Sequence, residues 1–237
     1  LCSTYLSIGS LSIYFSVSSF IFHGFYAGIE KTRILMYVTI ISNLLNVYLN
    51  AGLIYGSEFL NLFFESNGIS WISILWSIYE FPALGVKGAA IATLLSSILM
   101  MILYTLYLFK SNIRKKFQVM NLSLDWKMIK RQIEIAYPQS ISEVLLNLAF
   151  NMFYIIMGII GTVQLAATQV VFTVAHASFL PAVGVGQACA TLVGKYLGKK
   201  NIEKSEQSMI EGLRGSFLIM GTMGIIFIFF PHLIVQI

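Results

Sequence analysis

GAAIATLLSSILMMILYTLYLF, residues 88–109, contains no charged residue and no proline, and it opens on small residues at Gly88, Ala92 and Ser96. A helix needs about twenty predominantly apolar residues to cross roughly 30 Å of hydrocarbon. This stretch meets that length without interruption. In lipid every backbone polar group must bond within its own segment, so the stretch reads as a membrane-spanning helix. Gly88, Ala92 and Ser96 recur every fourth residue, a face that lets another helix approach closely.

The same pattern recurs along the chain. Spans are expected at Tyr5–Tyr26, Ile34–Tyr55, Gly88–Phe109, Ala136–Ile160, Val163–Leu197 and Ser216–His232. Composition agrees, with 57% hydrophobic and only 11% charged residues, against about 25% charged in soluble domains. The expected fold class is an all-α integral membrane protein, a polytopic helix bundle of about six transmembrane helices, in the plasma (inner) membrane as a multi-pass protein. The chain opens on Leu1 within an apolar run and stops shortly after another, without a charged n-region or cleavage site. It is therefore expected to be a piece of something longer, with further spans as its partners, and to carry no signal peptide.

The net charge of +5 could suggest nucleic acid. The basic residues instead sit between spans. Lys31 and Arg33 follow the first; Lys110, Arg114, Lys115, Lys116, Lys127, Lys130 and Arg131 follow the third; Lys195, Lys199, Lys200, Lys204 and Arg214 follow the fifth. Of the 15 basic residues only Lys87 falls on the other side. The positive-inside rule places those loops in the cytoplasm and residues 57–87 outside, and no nucleic-acid partner is expected. Residues 57–82 mix apolar side chains with Trp71, Trp76 and Tyr79. They read either as a segment lying on the outer membrane surface or as a loop packed over helix ends. Residues 110–134 read as a cytoplasmic linker, dividing the chain into 1–109 and 135–237.

Polar residues within spans are costly and tend to face a bundle interior or a wet cavity. Here they form stripes. Thr39, Asn43, Asn46 and Asn50 fall at spacings of 4, 3 and 4; Glu143, Asn147 and Asn151 at 4 and 4; Gln169, Thr173 and His176 at 4 and 3. Each set occupies one helix face. Single asparagines often serve as interhelical hydrogen-bond glue, worth about 0.6 kcal/mol. Three aligned stripes point instead to a shared substrate cleft lined by Asn43, Asn46, Asn50, Asn147, Asn151, Gln169 and Thr173. Ser12, Ser16, Ser19 and His23 are also in phase, but serine is so frequent there that chance explains the spacing. Glu143 is the only acid within a span. Glu143 and His176 are the candidate groups for carrying a proton or cation. Gly186, Ala190, Gly194 and Gly198 mark a second expected close-contact face. No phosphate-binding loop, HExxH or GxSxG motif is present, so no enzyme is expected. Cys2 and Cys189 lie apart in apolar stretches, and the three histidines are scattered, so neither a disulfide framework nor a metal site is expected.

Four stretches give the chain a resemblance to the multidrug and toxic-compound extrusion (MATE) transporters. They are Gly24-Phe25-Tyr26-Ala27-Gly28 with Thr32, Arg33, Asn43, Asn46 and Leu53-Ile54-Tyr55-Gly56; Leu84 to Thr93; Tyr137-Pro138; and Ala166 to Gln169 with Phe179 to Gln187 and Thr191 to Gly198. The resemblance implies twelve spans in two pseudo-symmetric six-helix lobes, of which this chain would hold the fourth to ninth. It implies export of small organic, often cationic, compounds by antiport with Na⁺ or H⁺, through alternating access, with no other cofactor. It also implies an acid in the seventh span; at the position matched from Pro138 stands Leu146, with Glu143 almost one turn earlier. A lipid-linked oligosaccharide flippase of the same superfamily is the rival reading, although the stripes hold no Lys or Arg for a phosphate. A non-transporting membrane scaffold or truncated product is the rival of another class.

Overall fold

The structure, a computed structural model, describes residues 2–66, 68, 76, 79–110, 113–114, 117 and 124–229. Among these there are seven helices and no strand: α1 (Cys2–Gly28), α2 (Thr32–Tyr55), α3 (Ser57–Ser66), α4 (Val86–Leu108), α5 (Trp126–Ile160), α6 (Thr162–Gly198) and α7 (Ile202–Phe229). All but α3 are long and apolar enough to cross a membrane, which makes the chain a multi-pass helical membrane protein. Large apolar side chains stand bare on these helices, with Ile159 80% and Phe217 79% exposed. In water such surface would be penalised by about 25 cal/mol per Å²; against lipid it carries no penalty.

The chain divides into two compact units, Leu1–Leu122 and Ser123–Ile237. In the first, α4 packs along both α1 and α2. At one end of this trio the Tyr26 hydroxyl donates to the Tyr104 carbonyl at 2.7 Å, and the two rings stack 5.6 Å apart. Leu35, Val38 and Ile113 complete that buried cluster. The turn from α1 to α2 is closed by Lys31 N–H donating to the Tyr26 carbonyl at 2.9 Å, with Glu30 at φ 61°. At the other end a Cβ on Gly88 would run into the Leu53 carbonyl. Ala92 and Ser96 continue that face at 0% and 6% exposure, so the small residues of α4 do form the close contact expected of them.

α3, Trp76 and Phe81 pack over the end of α2. Trp76 donates its indole N–H to the Tyr48 carbonyl at 3.2 Å and stacks on the Tyr48 and Phe64 rings. Ser57 Oγ accepts from Phe81 N–H at 2.7 Å. Phe59 and Phe63 remain about half exposed on α3. Trp71 lies outside the described residues.

In the second unit α6 packs along α7 and, less extensively, α5. The α5–α6 contact centres on Phe172, which meets the rings of Phe150, Phe153 and Tyr154. α5 starts at Trp126, ten residues before the expected span. The Asp125 side chain caps it, accepting from Lys127 N–H at 2.9 Å and Met128 N–H at 3.2 Å. The helix continues through Pro138, which removes one backbone donor without ending it. α7 likewise starts at Ile202 rather than Ser216, because Asn201 Oδ1 accepts from Lys204 N–H at 3.0 Å and nucleates a polar first half.

The close-contact face expected at Gly186, Gly194 and Gly198 is not used within this unit. A Cβ at any of them would meet no heavy atom within 4 Å. α7 instead approaches the neighbouring face, where a Cβ on Gly212 would sit 2.7 Å from Cys189 Sγ, and one on Gly215 3.7 Å from Val185.

Candidate substrate and coupling site

Each stripe occupies one helix face, and the three behave differently. On α2, Asn46 and Asn50 are half-buried and bonded to each other, the Asn50 amide donating to Asn46 Oδ1 at 2.9 Å. Asn43, one turn earlier, is exposed. Thr39 turns into a cavity described below.

On α5 the amides form a backbone-anchored ladder. Asn147 donates to the Glu143 carbonyl and Asn151 to the Asn147 carbonyl, each at 2.8 Å. Each side chain thus directs an N–H back along its own helix, and the carbonyl oxygen Oδ1 is left for something else. Glu143, Asn147 and Asn151 are all exposed. Among the described residues nothing hydrogen-bonds or ion-pairs the Glu143 carboxylate.

On α6 the Thr173 hydroxyl donates to the Gln169 carbonyl at 2.8 Å, and Gln169, Thr173 and His176 are exposed. The α7 contact runs through Cys189 and Val185. At 3.6 residues per turn, Thr173 lies about 160° around the helix from Cys189. The α6 stripe therefore points away from α7. No hydrogen bond joins it to the α5 stripe among the described residues, because the α5–α6 contact is aromatic. Both stripes of this unit thus sit on faces that their own unit leaves uncovered. Their free groups are one carboxylate, amide oxygens and one imidazole, a donor set suited to a proton or a hard cation. Among the described residues no three His, Cys, Asp or Glu side chains gather as a multidentate metal site would require.

The serines of α1 are not a chance arrangement. Ser12 and Ser19 are buried at 7% and 4% exposure, and Ser16 Oγ lies 3.3 Å from Ser97 Oγ on α4. Ser16, Ser19 and Ser97, together with His23, Thr39 and Tyr104, line a cavity of about 310 Å³ between α1, α2 and α4. The 3-and-4 spacing of Ser16, Ser19 and His23 was the available signal.

Residues 1–51 and 138–237 match the family model MatE. The chain is 30% identical over 228 residues to the probable multidrug resistance protein NorM of Thermotoga maritima, covering 95% of the chain and 44% of that relative. It is 25% identical over 234 residues to the probable NorM of Rhizobium meliloti, covering 98% and 46%. It is 24% identical over 227 residues to the probable multidrug resistance protein YoeA of Bacillus subtilis, covering 94% and 43%. The chain thus spans about half the length of the curated relatives it matches. No solved structure matches it significantly.

Proposed function

Because this chain belongs to the MatE family, we propose that it forms part of a secondary active multidrug exporter in the plasma membrane, moving organic, mostly cationic compounds outward in exchange for Na⁺ or H⁺. The two units supply parts of two lobes, and alternating access between them moves the substrate. Asn43, Asn46, Asn50, Asn147, Asn151, Gln169 and Thr173 line the substrate cleft, while Glu143 and His176 carry the coupling cation or proton.

The observation that supports this best is the uncovered α5 face. A carboxylate near mid-membrane is unfavourable by around 2.5–3.5 kcal/mol even on the lenient insertion scale. The Glu143 carboxylate has no partner among the described residues and sits above two amides that each turn one N–H back to the helix and leave Oδ1 free. A bound proton or cation relieves that charge, and its occupancy shifts the balance between inward- and outward-facing states.

The test is transport by the full-length protein in liposomes loaded with a fluorescent organic cation. An opposing Na⁺ or H⁺ gradient should drive the dye against its own concentration difference, and the matching ionophore should stop it. Dye movement indifferent to both gradients would remove the antiport reading.

A further inference from the structure

The length of α2 sets where α3 lies. Arg33 stands in the first turn of α2 and Tyr55 is its last residue. At 1.5 Å per residue the rise between them is about 33 Å. The hydrocarbon core is roughly 30 Å thick, so with Arg33 at one boundary Tyr55 emerges at the other. Gly56, at φ 81°, then bends the chain, and α3 begins at Ser57. With 10 residues, α3 is about 15 Å long and too short to cross. It therefore sits at the boundary itself.

The circumference of α3 has three parts. Ser57 and Leu60 are buried, and Phe64 stacks on Trp76 with ring centres 5.6 Å apart. Glu58 and Glu65 are exposed, and at 3.6 residues per turn they lie within about 20° of each other. Phe59, Leu62 and Phe63 fill a third arc, about 100° wide, turned away from the buried side at 52%, 63% and 51% exposure. That arc continues a row of rings that starts on α2. Tyr55, itself 54% exposed, stacks on Phe59 at 5.6 Å, and Phe59 stacks on Phe63 at 6.3 Å. The exposed apolar face thus begins on a membrane-spanning helix and runs onto α3 along one stack. A contiguous apolar face of this kind marks an interaction surface, and at this level the surface it meets is the bilayer.

We propose that α3 is an interfacial anchor whose Phe59, Leu62 and Phe63 insert between headgroups and acyl chains of the leaflet opposite the basic loops, while Glu58 and Glu65 stay in water. Apolar burial holds it there. The helix carries two acids and no Lys or Arg, so it lacks the attraction to anionic lipid that basic amphipathic helices use. Tyr55 falls in the aromatic belt where amphipathic rings are favoured. The anchor also positions α2. Only Gly56 separates the two helices, and Trp76 ties them by donating to the Tyr48 carbonyl at 3.2 Å while stacking on Phe64. The depth of α3 is thereby passed to α2 and to Asn50, about 7.5 Å below Tyr55 along the axis. None of the anchoring residues has a part in the export reading.

The test uses the full-length protein, its native cysteines replaced, in phosphatidylcholine vesicles. The polarity-sensitive fluorophore NBD is attached at Leu62→Cys on the apolar arc or at Glu65→Cys on the acidic one. Emission from position 62 should be shifted to the blue of that from position 65. A lipid with its doxyl quencher near the top of the acyl chain should quench position 62 at least threefold more than position 65, and more than a lipid quenched at the chain end. Replacing a third of the lipid with phosphatidylglycerol should change neither result. If the Leu62 variant does not melt cooperatively, Phe63→Cys on the same arc decides in its place. Water-like emission with equal quenching at both positions overturns the anchor. Non-polar emission that neither doxyl lipid quenches also overturns it, because another span or a second protein would then cover the arc. Quenching that requires phosphatidylglycerol, or that is stronger from the chain end, contradicts the shallow apolar attachment. Failure of gradient-driven dye transport leaves these outcomes standing.

Discussion

Glu143→Gln in the full-length protein should reduce gradient-driven export at least tenfold while leaving abundance and melting behaviour nearly unchanged. The substitution preserves shape and removes only the charge. Its neighbours at three and four residues are Gln139, Ser140, Leu146 and Asn147, so no basic side chain on its own helix compensates it. The ladder that holds the local backbone uses the Glu143 carbonyl and not its carboxylate, with Asn147 donating at 2.8 Å. Glutamine therefore keeps every recorded contact of this residue. What it cannot do is take up and release a proton, or neutralise a bound cation. Any pH or Na⁺ dependence of substrate binding should disappear with export. Wild-type export by Glu143→Gln across the pH range would make the residue structural and move coupling to another group.

Gly88→Val should destabilise the first unit by about 3 kcal/mol or more, the upper end of overpacking effects. The reason lies in what opposes the new side chain. Most overpacked sites relax by turning a neighbouring rotamer, but Gly88 faces the Leu53 carbonyl, which is backbone. That carbonyl also accepts from Leu84 N–H at 2.9 Å, so moving it breaks the link by which the chain enters α4. The same link needs Gly85 at φ 56°, a conformation other residues rarely adopt. Thermal melting of the purified variant reads the effect, with Gly88→Ala falling between wild type and valine. By contrast, Gly194→Ala should melt within about 0.5 kcal/mol of wild type, as a surface change, since its Cβ meets nothing within 4 Å. A valine variant as stable as the parent would mean that α2 and α4 do not close at this point.

These two glycines also show how far the sequence could be read. Residues 88–109 announced their helix through length and apolarity, and the close contact at Gly88, Ala92 and Ser96 followed from a spacing of four. The same spacing at Gly186, Gly194 and Gly198 found no partner within its unit. A stripe of small residues says that a neighbour can approach, not which of the available helices does. Helix starts were missed at Trp126 and Ile202 for a related reason. Their opening stretches, 126–135 and 202–215, carry several charged residues, so hydropathy does not register them, and the signals that start them are single capping side chains, Asp125 and Asn201. The stripes on α5 and α6 were legible because an amide or carboxylate in a span stands out against its surroundings. The α1 serines were not, because a hydroxyl can bond its own helix backbone, as Ser19 does to Phe15, and is weakly informative until the helix opposite is known. Ser97, which identifies Ser16 as a cavity residue, lies 81 positions away.

The central claim is that the polar stripes line a water-filled path for substrate, and spin-label accessibility tests it most directly. Single labels at Asn43→Cys, Asn147→Cys and Thr173→Cys in the full-length protein would be compared with labels at Ile159→Cys and Phe217→Cys, two strongly exposed apolar positions. Collision with a water-soluble nickel chelate and with oxygen separates wet from lipid-facing sites. The three stripe labels should be readily reached by the chelate, and the two reference labels by oxygen alone. Oxygen-dominated relaxation at all three stripe positions, matching Ile159 and Phe217, would place the stripes against lipid and contradict the cleft.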